Sequence, residues 1–269
     1  MSFIPFWKRN QACVRLGIAN RLVYPVDFFM GIFFIPICAF LVEAAFWMGL
    51  IQVSGSPLLG GFPVSYYLGY FLWIMLQLGS INWMFERRMI SEINSGAVNS
   101  ILLRPSSFYE YHLGQLLGQK LIVVIAMTPV ALFIAWMWDL PFQIERLPAA
   151  LLMGFLYVIL IFSLHFAVAS AAFFFDHVYS LNTTKNMIIW FLSGELMPLD
   201  LMPSPLREWV IALPFSCGIY LPAAYLSGRI EADVFMRGFL SLAIGGVVFG
   251  LLARYVWKKG LRSYGGTGA

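Results

Sequence analysis

The chain has 269 residues, of which 61% are hydrophobic and 11% charged. A soluble domain of this length carries about 25% charged residues, so the composition excludes one and indicates an integral membrane protein; 17% aromatic content suits interfacial belts of Trp and Tyr. The net charge of +4 carries little by itself, because the placement of Lys and Arg decides topology, and Cys13, Cys38 and Cys217 show neither a metal-ligand spacing nor a disulfide pattern.

In chain order, the N-terminal stretch is too polar to hold the apolar core of a cleavable signal. Residues from about 10 to 25 are expected to form an interfacial helix. Ala12, Leu16, Ala19 and Val23 fall on one stripe, Arg15 and Arg21 are placed to meet anionic headgroups, and Pro25 ends the run. A membrane-crossing helix needs about 20 apolar residues. Stretches at about 28–50, 64–85, 114–138, 147–175 and 234–257 qualify, with Pro36 and Pro129 expected to kink their helices. A sixth, 181–197, is less apolar at its start. With six spans and an inside N-terminus, thirteen of the seventeen Lys and Arg residues fall inside, as the positive-inside rule requires.

The longest inside connection, 86–112, is far longer than a simple turn. Met89, Ile90, Ile93 and Ala97 have helical spacing, with Glu86, Arg87, Arg88 and Glu92 around them. Arg104-Pro105 then breaks the chain, and Ser107 with Glu110 has capping-box spacing, which predicts a new helix running into the third span. Two readings stand: a short amphipathic helix mounted between two spans as a docking device, or a loop lying on headgroups. The next inside connection, 175–186, is short and polar, with Asp176 or Ser180 as helix caps and a second, smaller contact to the same partner as its role.

The segment "FLSGELMPLDLMPSPLREWVIALPF" ends an apolar run in Gly194 and Glu195 and places Pro198, Pro203 and Pro205 directly after it. The chain turns apolar again over 209–226, interrupted by Pro214, Gly218 and Pro222. A seventh crossing would put the basic C-terminal end outside, against the charge rule. The reading is a re-entrant helical hairpin over 198–226 between the fifth and sixth spans; a partly buried outer loop is the alternative.

Chemistry-bearing motifs are few. The chain has no Gly-x-x-x-x-Gly-Lys-[Ser/Thr] phosphate loop, no His-Glu-x-x-His and no paired Cys motif. His165 lies alone in the fourth span and reads as a core histidine bonded to a neighbouring helix. Glu43, inside the first span, is expected to face the bundle interior or water, and to pair with another helix rather than contact substrate. Glu195, where the fifth span breaks, reads either as functional or as a cap of the re-entrant helices.

Three features resemble the type II ATP-binding-cassette exporter permeases, in the bacterial branch once called domain of unknown function 990. These are "GAVNSILLRPSS" at 96–107, the Ser-Gly…Pro…Pro…Leu-Pro-Phe segment at 193–215, and the six-span plan with both ends inside. The resemblance implies an all-α permease in the bacterial cytoplasmic membrane, with both termini cytoplasmic and the whole chain as one transmembrane domain. It implies coupling to the ATPase through Glu86, Arg87, Arg88, Glu92, Ile93, Gly96, Arg104 and Pro105. It implies an outer gate at Gly194, Glu195, Pro198, Pro214 and Phe215. The implied partners are two copies of a separate ABC ATPase, which bind the ATP and magnesium, a second permease chain, identical or related, and membrane lipid, with no nucleic acid. This chain itself is expected to hold no cofactor and catalyse no reaction. Two alternatives are an integral membrane enzyme of the acyl or glycosyl transferase type, which needs convergent Asp, Glu or His residues, and a secondary transporter, which usually shows inverted repeats.

Overall fold

The computed structural model describes residues 6–77, 83–175 and 178–264. Among them, helices dominate, and the only sheet is a hairpin of two residues per strand, β1 (Leu58–Leu59) with β2 (Phe62–Pro63). The predicted all-α class holds.

Helix α1 (Phe6–Leu22) lies along α6 (Phe108–Met137) rather than standing apart. The reason is glycine. A Cβ on Gly17 would run into the Gln115 backbone, one on Gly118 into the Val14 carbonyl, and one on Gly114 into Cys13. The two backbones therefore touch, as at Gly-x-x-x-Gly helix crossings. The buried face of α1 is Cys13 and Gly17, whereas Ala12, Leu16, Ala19 and Val23 are exposed. The apolar stripe is thus turned away from the protein, free for lipid, and the face it leaves out makes the packing.

Helix α2 (Pro25–Ser54) widens to π pitch over Met30–Phe34, just before Pro36. Proline has no N–H for the helical ladder, and a wider turn is one way a helix absorbs that loss. Helix α3 (Val64–Gln77) is the central strut, with every residue from Tyr66 to Gln77 buried. Helix α4 (Trp83–Asn94) and the short α5 (Val98–Leu102) follow, and then α6, which contains Pro129. Ser107 and Glu110 form the predicted capping box. The Ser107 Oγ accepts from the Glu110 N–H at 3.1 Å, and the Ser107 N–H donates to Glu110 Oε2 at 3.0 Å. Helices α7 (Leu147–Ser170) and α8 (Val178–Ser193) lead to α9 (Ser204–Ala212), α10 (Tyr220–Leu226) and α11 (Ala232–Ser263).

Among the described residues, four helical stretches are long and apolar enough to cross a membrane: Pro25–Ser54, Phe108–Met137, Ile144–Phe173 and Ala232–Ser263. They contain the first and last of the predicted spans and coincide with the third and fourth to within two residues at the C-terminal end. At about 1.5 Å per residue the first three are about 45 Å long, more than a hydrocarbon core of about 30 Å. The other two expected spans are shorter as helices: α3 has 14 residues and α8 has 16. Part of the second expected span, residues 78–82, lies outside the described residues, as do Asp176 and the terminal 265–269. The 198–226 segment forms α9, a Pro214–Cys217 turn and α10, and α10 packs against α3, α7 and α11.

Candidate functional site

Helix α4 is amphipathic, and its buried face is bolted to the bundle. Met89 and Ile90 are buried together with Phe108, Phe162 and Phe166, and Ile93 is buried as well. On the same face Glu86 is fully buried; its Oε2 sits 2.5 Å from Lys185 Nζ on α8 and 3.2 Å from His165 Nδ1 on α7. Burial pushes the Glu86 carboxyl up to about 7 even with Lys185 against it. One turn and a half further on, Glu92 accepts from Arg88 Nε at 2.9 Å and meets His112 Nε2, on α6, at 2.8 Å. Burial raises Glu92, but His112 and Arg88 outweigh it and hold the carboxyl below its usual range. Two carboxylates six residues apart therefore tie α4 to α6, α7 and α8.

The opposite face is open. Arg87, Arg88, Ser91 and Asn94 are exposed, as are Arg104 and Pro105 after α5, while Gly96 is half-buried. Leu103 projects with 89% of its surface exposed beside Leu102, and the Arg104 guanidinium lies over the Tyr111 ring at 4.9 Å. Of the eight residues expected to couple, Glu86 and Ile93 are turned inward and Glu92 is half-buried. They fit a role in mounting the helix, and the exposed arginines and Leu103 lie on its outward side.

A second cluster surrounds the other end of α3. Gly194 has φ +84, a left-handed conformation that favours glycine, and a Cβ there would strike the Tyr70 hydroxyl. That hydroxyl donates to the Gly194 carbonyl at 2.7 Å. Six residues on, Asp200 is buried and accepts from the Tyr66 hydroxyl and, at 3.0 Å, from Tyr220. Arg229 Nε lies 3.7 Å from it. The Trp73 indole donates to the Gly218 carbonyl at 3.0 Å. So α3 holds the 194–220 segment by three side chains, Tyr66, Tyr70 and Trp73, while the Tyr67 hydroxyl donates to the Leu59 carbonyl of the β-hairpin. Pro198 is buried near this network, whereas Pro214 and Phe215 pack on α11, against Gly245 and Phe249.

Residues 39–268 match the family described as ABC-2 family transporter protein. The chain belongs to that family. This ABC-2 chain is accordingly a multi-pass membrane component of an ABC transporter system, which works with an ATPase partner, and its role is transport. No curated protein matches the chain.

Other ionisable residues of this ABC-2 chain fall into place around these clusters. His165, which the sequence left alone, is the α7 ligand of Glu86. Lys120, counted with the inside cations, is buried in α6 and donates to Gln77 Oε1 at 2.7 Å at the end of α3. Glu43 was expected to pair with another helix. Among the described residues it has no such partner; it lines a cavity of about 260 Å3 together with Glu195, Phe40, Phe71 and Trp190. Asp200 and Leu103 escaped the sequence reading. Asp200 looked like one polar residue in a proline-rich loop, and nothing local marks it. Leu103 is an apolar residue directly before Arg104-Pro105, at the break already noted, and that position was the available signal.

Proposed function

We propose that this chain is the permease subunit of an ATP-driven exporter in the bacterial cytoplasmic membrane. The α4–α5 segment couples it to a separate ATPase, present in two copies, which binds the ATP and magnesium. A second permease chain completes the translocation path. The chain crosses the membrane six times, with α3 and α8 as the short second and fifth spans and both termini cytoplasmic. The segment from Gly194 to Leu226 re-enters from the outer side, where Gly194, Glu195 and Pro198 gate the exit and Pro214 and Phe215 anchor the hairpin to α11. The thirteen-to-four charge asymmetry supports this orientation.

The observation that carries the proposal is the mounting of α4. It buries one face through Met89, Ile90 and Ile93, and it is tied by Glu86 and Glu92 to α6, α7 and α8. Its other face presents Arg87, Arg88 and, beyond α5, Leu103. A headgroup-bound loop needs no such attachment. Closure of an ATPase pair against this helix moves α6, α7 and α8 together. Reconstitution with the partner ATPase tests it. Arg87→Glu with Arg88→Glu should leave basal ATP hydrolysis by the partner in place and abolish the stimulation by the permease. Wild-type stimulation by that variant would refute the coupling role.

A further inference from the structure

A groove of about 960 Å3 opens between α9, the Pro214–Cys217 turn and α11. Its two ends differ in chemistry. At the mouth stand Arg207, Arg229 and Arg237, with Asp200 and Glu208 as the acids. Asp200 is already saturated by Tyr66 and Tyr220 and faced by Arg229. Arg229 is further engaged over the Phe62 ring at 5.0 Å. Arg237 has Asp233 one turn away at 3.6 Å, but both side chains are largely exposed, and such pairs hold weakly. Glu208 is exposed on α9. The mouth therefore keeps two arginines, Arg207 and Arg237, available to an anion.

Below the mouth the walls are apolar. Leu240, Ile244 and Val248 descend one face of α11, each more than half exposed, opposite Pro214 and Phe215. From Arg237 to Val248 is eleven residues, about 16 Å along the helix. That is about half of a hydrocarbon core of about 30 Å, the depth of one leaflet. A cationic mouth at the helix end over an apolar trough one leaflet deep matches one class of molecule in both charge and length.

We infer that this groove holds one anionic phospholipid, its phosphate on Arg207 and Arg237 and one acyl chain along Ile244 and Val248. The guanidinium forks bind a phosphate in bidentate fashion. The inference requires only that α11 crosses the bilayer, and it is independent of the coupling reading. The bound lipid fills the space between the 204–217 segment and α11 and so braces that segment against the last span.

The test uses the full chain purified in a mild detergent and titrated with dioleoyl phosphatidylglycerol and dioleoyl phosphatidylcholine, with bound lipid counted by native mass spectrometry. The wild type should retain one phosphatidylglycerol in preference to phosphatidylcholine. Arg207→Gln with Arg237→Gln should weaken that preference by about fivefold per arginine removed. Ile244→Trp, which leaves both arginines and fills the trough, should expel the lipid, and it serves as the second arm if the arginine variant does not fold. Equal retention of the two lipids by the wild type, which marks ordinary annular lipid, would overturn the site. So would an unchanged preference in both variants. A preference lost in the arginine variant but kept in Ile244→Trp would place a headgroup at the mouth with no chain in the groove, and would overturn the groove as the binding site.

Discussion

Lys185→Met removes the cation that faces Glu86 and leaves the carboxyl buried. Glu86 is 0% exposed, Lys185 Nζ is 2.5 Å from it, and the other carboxyl oxygen, Oε1, has no partner. Removing one member of a buried pair costs about 3–5 kcal/mol. The lower figure applies here, because burial already holds the Glu86 carboxyl at about 7 and it can take up a proton near neutral pH. For a chain of this size about 3 kcal/mol corresponds to a fall of about 6–12 °C in the unfolding midpoint. Glu86→Leu combined with Lys185→Met removes both charges and fills the space with apolar groups, which is often neutral or stabilising. The double variant should therefore recover most of the loss, while α4 loses its polar tie to α7 and α8. The assay is thermal unfolding of the four proteins of the double-mutant cycle. Strict additivity, with an interaction energy below about 0.5 kcal/mol, would show that the two side chains do not act as a pair and would refute the mounting argument.

Gly194→Leu forces a side chain into a left-handed backbone position and onto the Tyr70 hydroxyl; transport should be lost while assembly with the ATPase survives, as read by co-purification and flux, and full transport would count against the gate. Gly118→Leu should separate α1 from α6, since its Cβ meets the Val14 carbonyl, and a protease site engineered near Asn20 should then be cut faster than in the wild type. The raised Glu86 value means that the folded chain keeps a proton that the unfolded chain has released between pH 4.5 and about 7, so this residue's contribution falls as pH rises through that window and is level above it. Glu86→Gln should lack that slope, and unfolding midpoints measured at pH 5, 6 and 7 for both proteins check it.

Much of the framework is readable from residue order. Four long apolar stretches, the Arg104-Pro105 break and the Ser107–Glu110 box are local signals, and each has its counterpart in the structure. The clusters are not local. Glu86 finds Lys185 99 residues away, and Tyr66 finds Asp200 134 residues away; no spacing along the chain encodes such pairs. Helix α1 adds a contact that the periodicity does not show. Its hydrophobic stripe was legible, but packing was decided by Gly17, Gly114 and Gly118, where the missing side chains let two backbones meet. The Gly114-x-x-x-Gly118 spacing was there to be read, and hydrophobic periodicity alone passes over it. The inward and outward faces of α4 follow the Met89, Ile90 and Ile93 pattern, yet Glu86 joins the inward face despite its charge, because the partners that satisfy it come from α7 and α8.

Site-directed crosslinking from α4 and the turn after α5 tests the central claim most directly. Single cysteines at Arg88, Ser91, Asn94 and Leu103, all exposed, are placed in a chain lacking Cys13, Cys38 and Cys217 and co-expressed with the partner ATPase. Cysteines at Met89 and Ile93, which are buried, are the controls. A short bifunctional reagent should join the exposed positions to the ATPase and leave the buried ones unjoined. An absence of ATPase adducts at every exposed position, in complexes that co-purify intact, would contradict the coupling role of this segment.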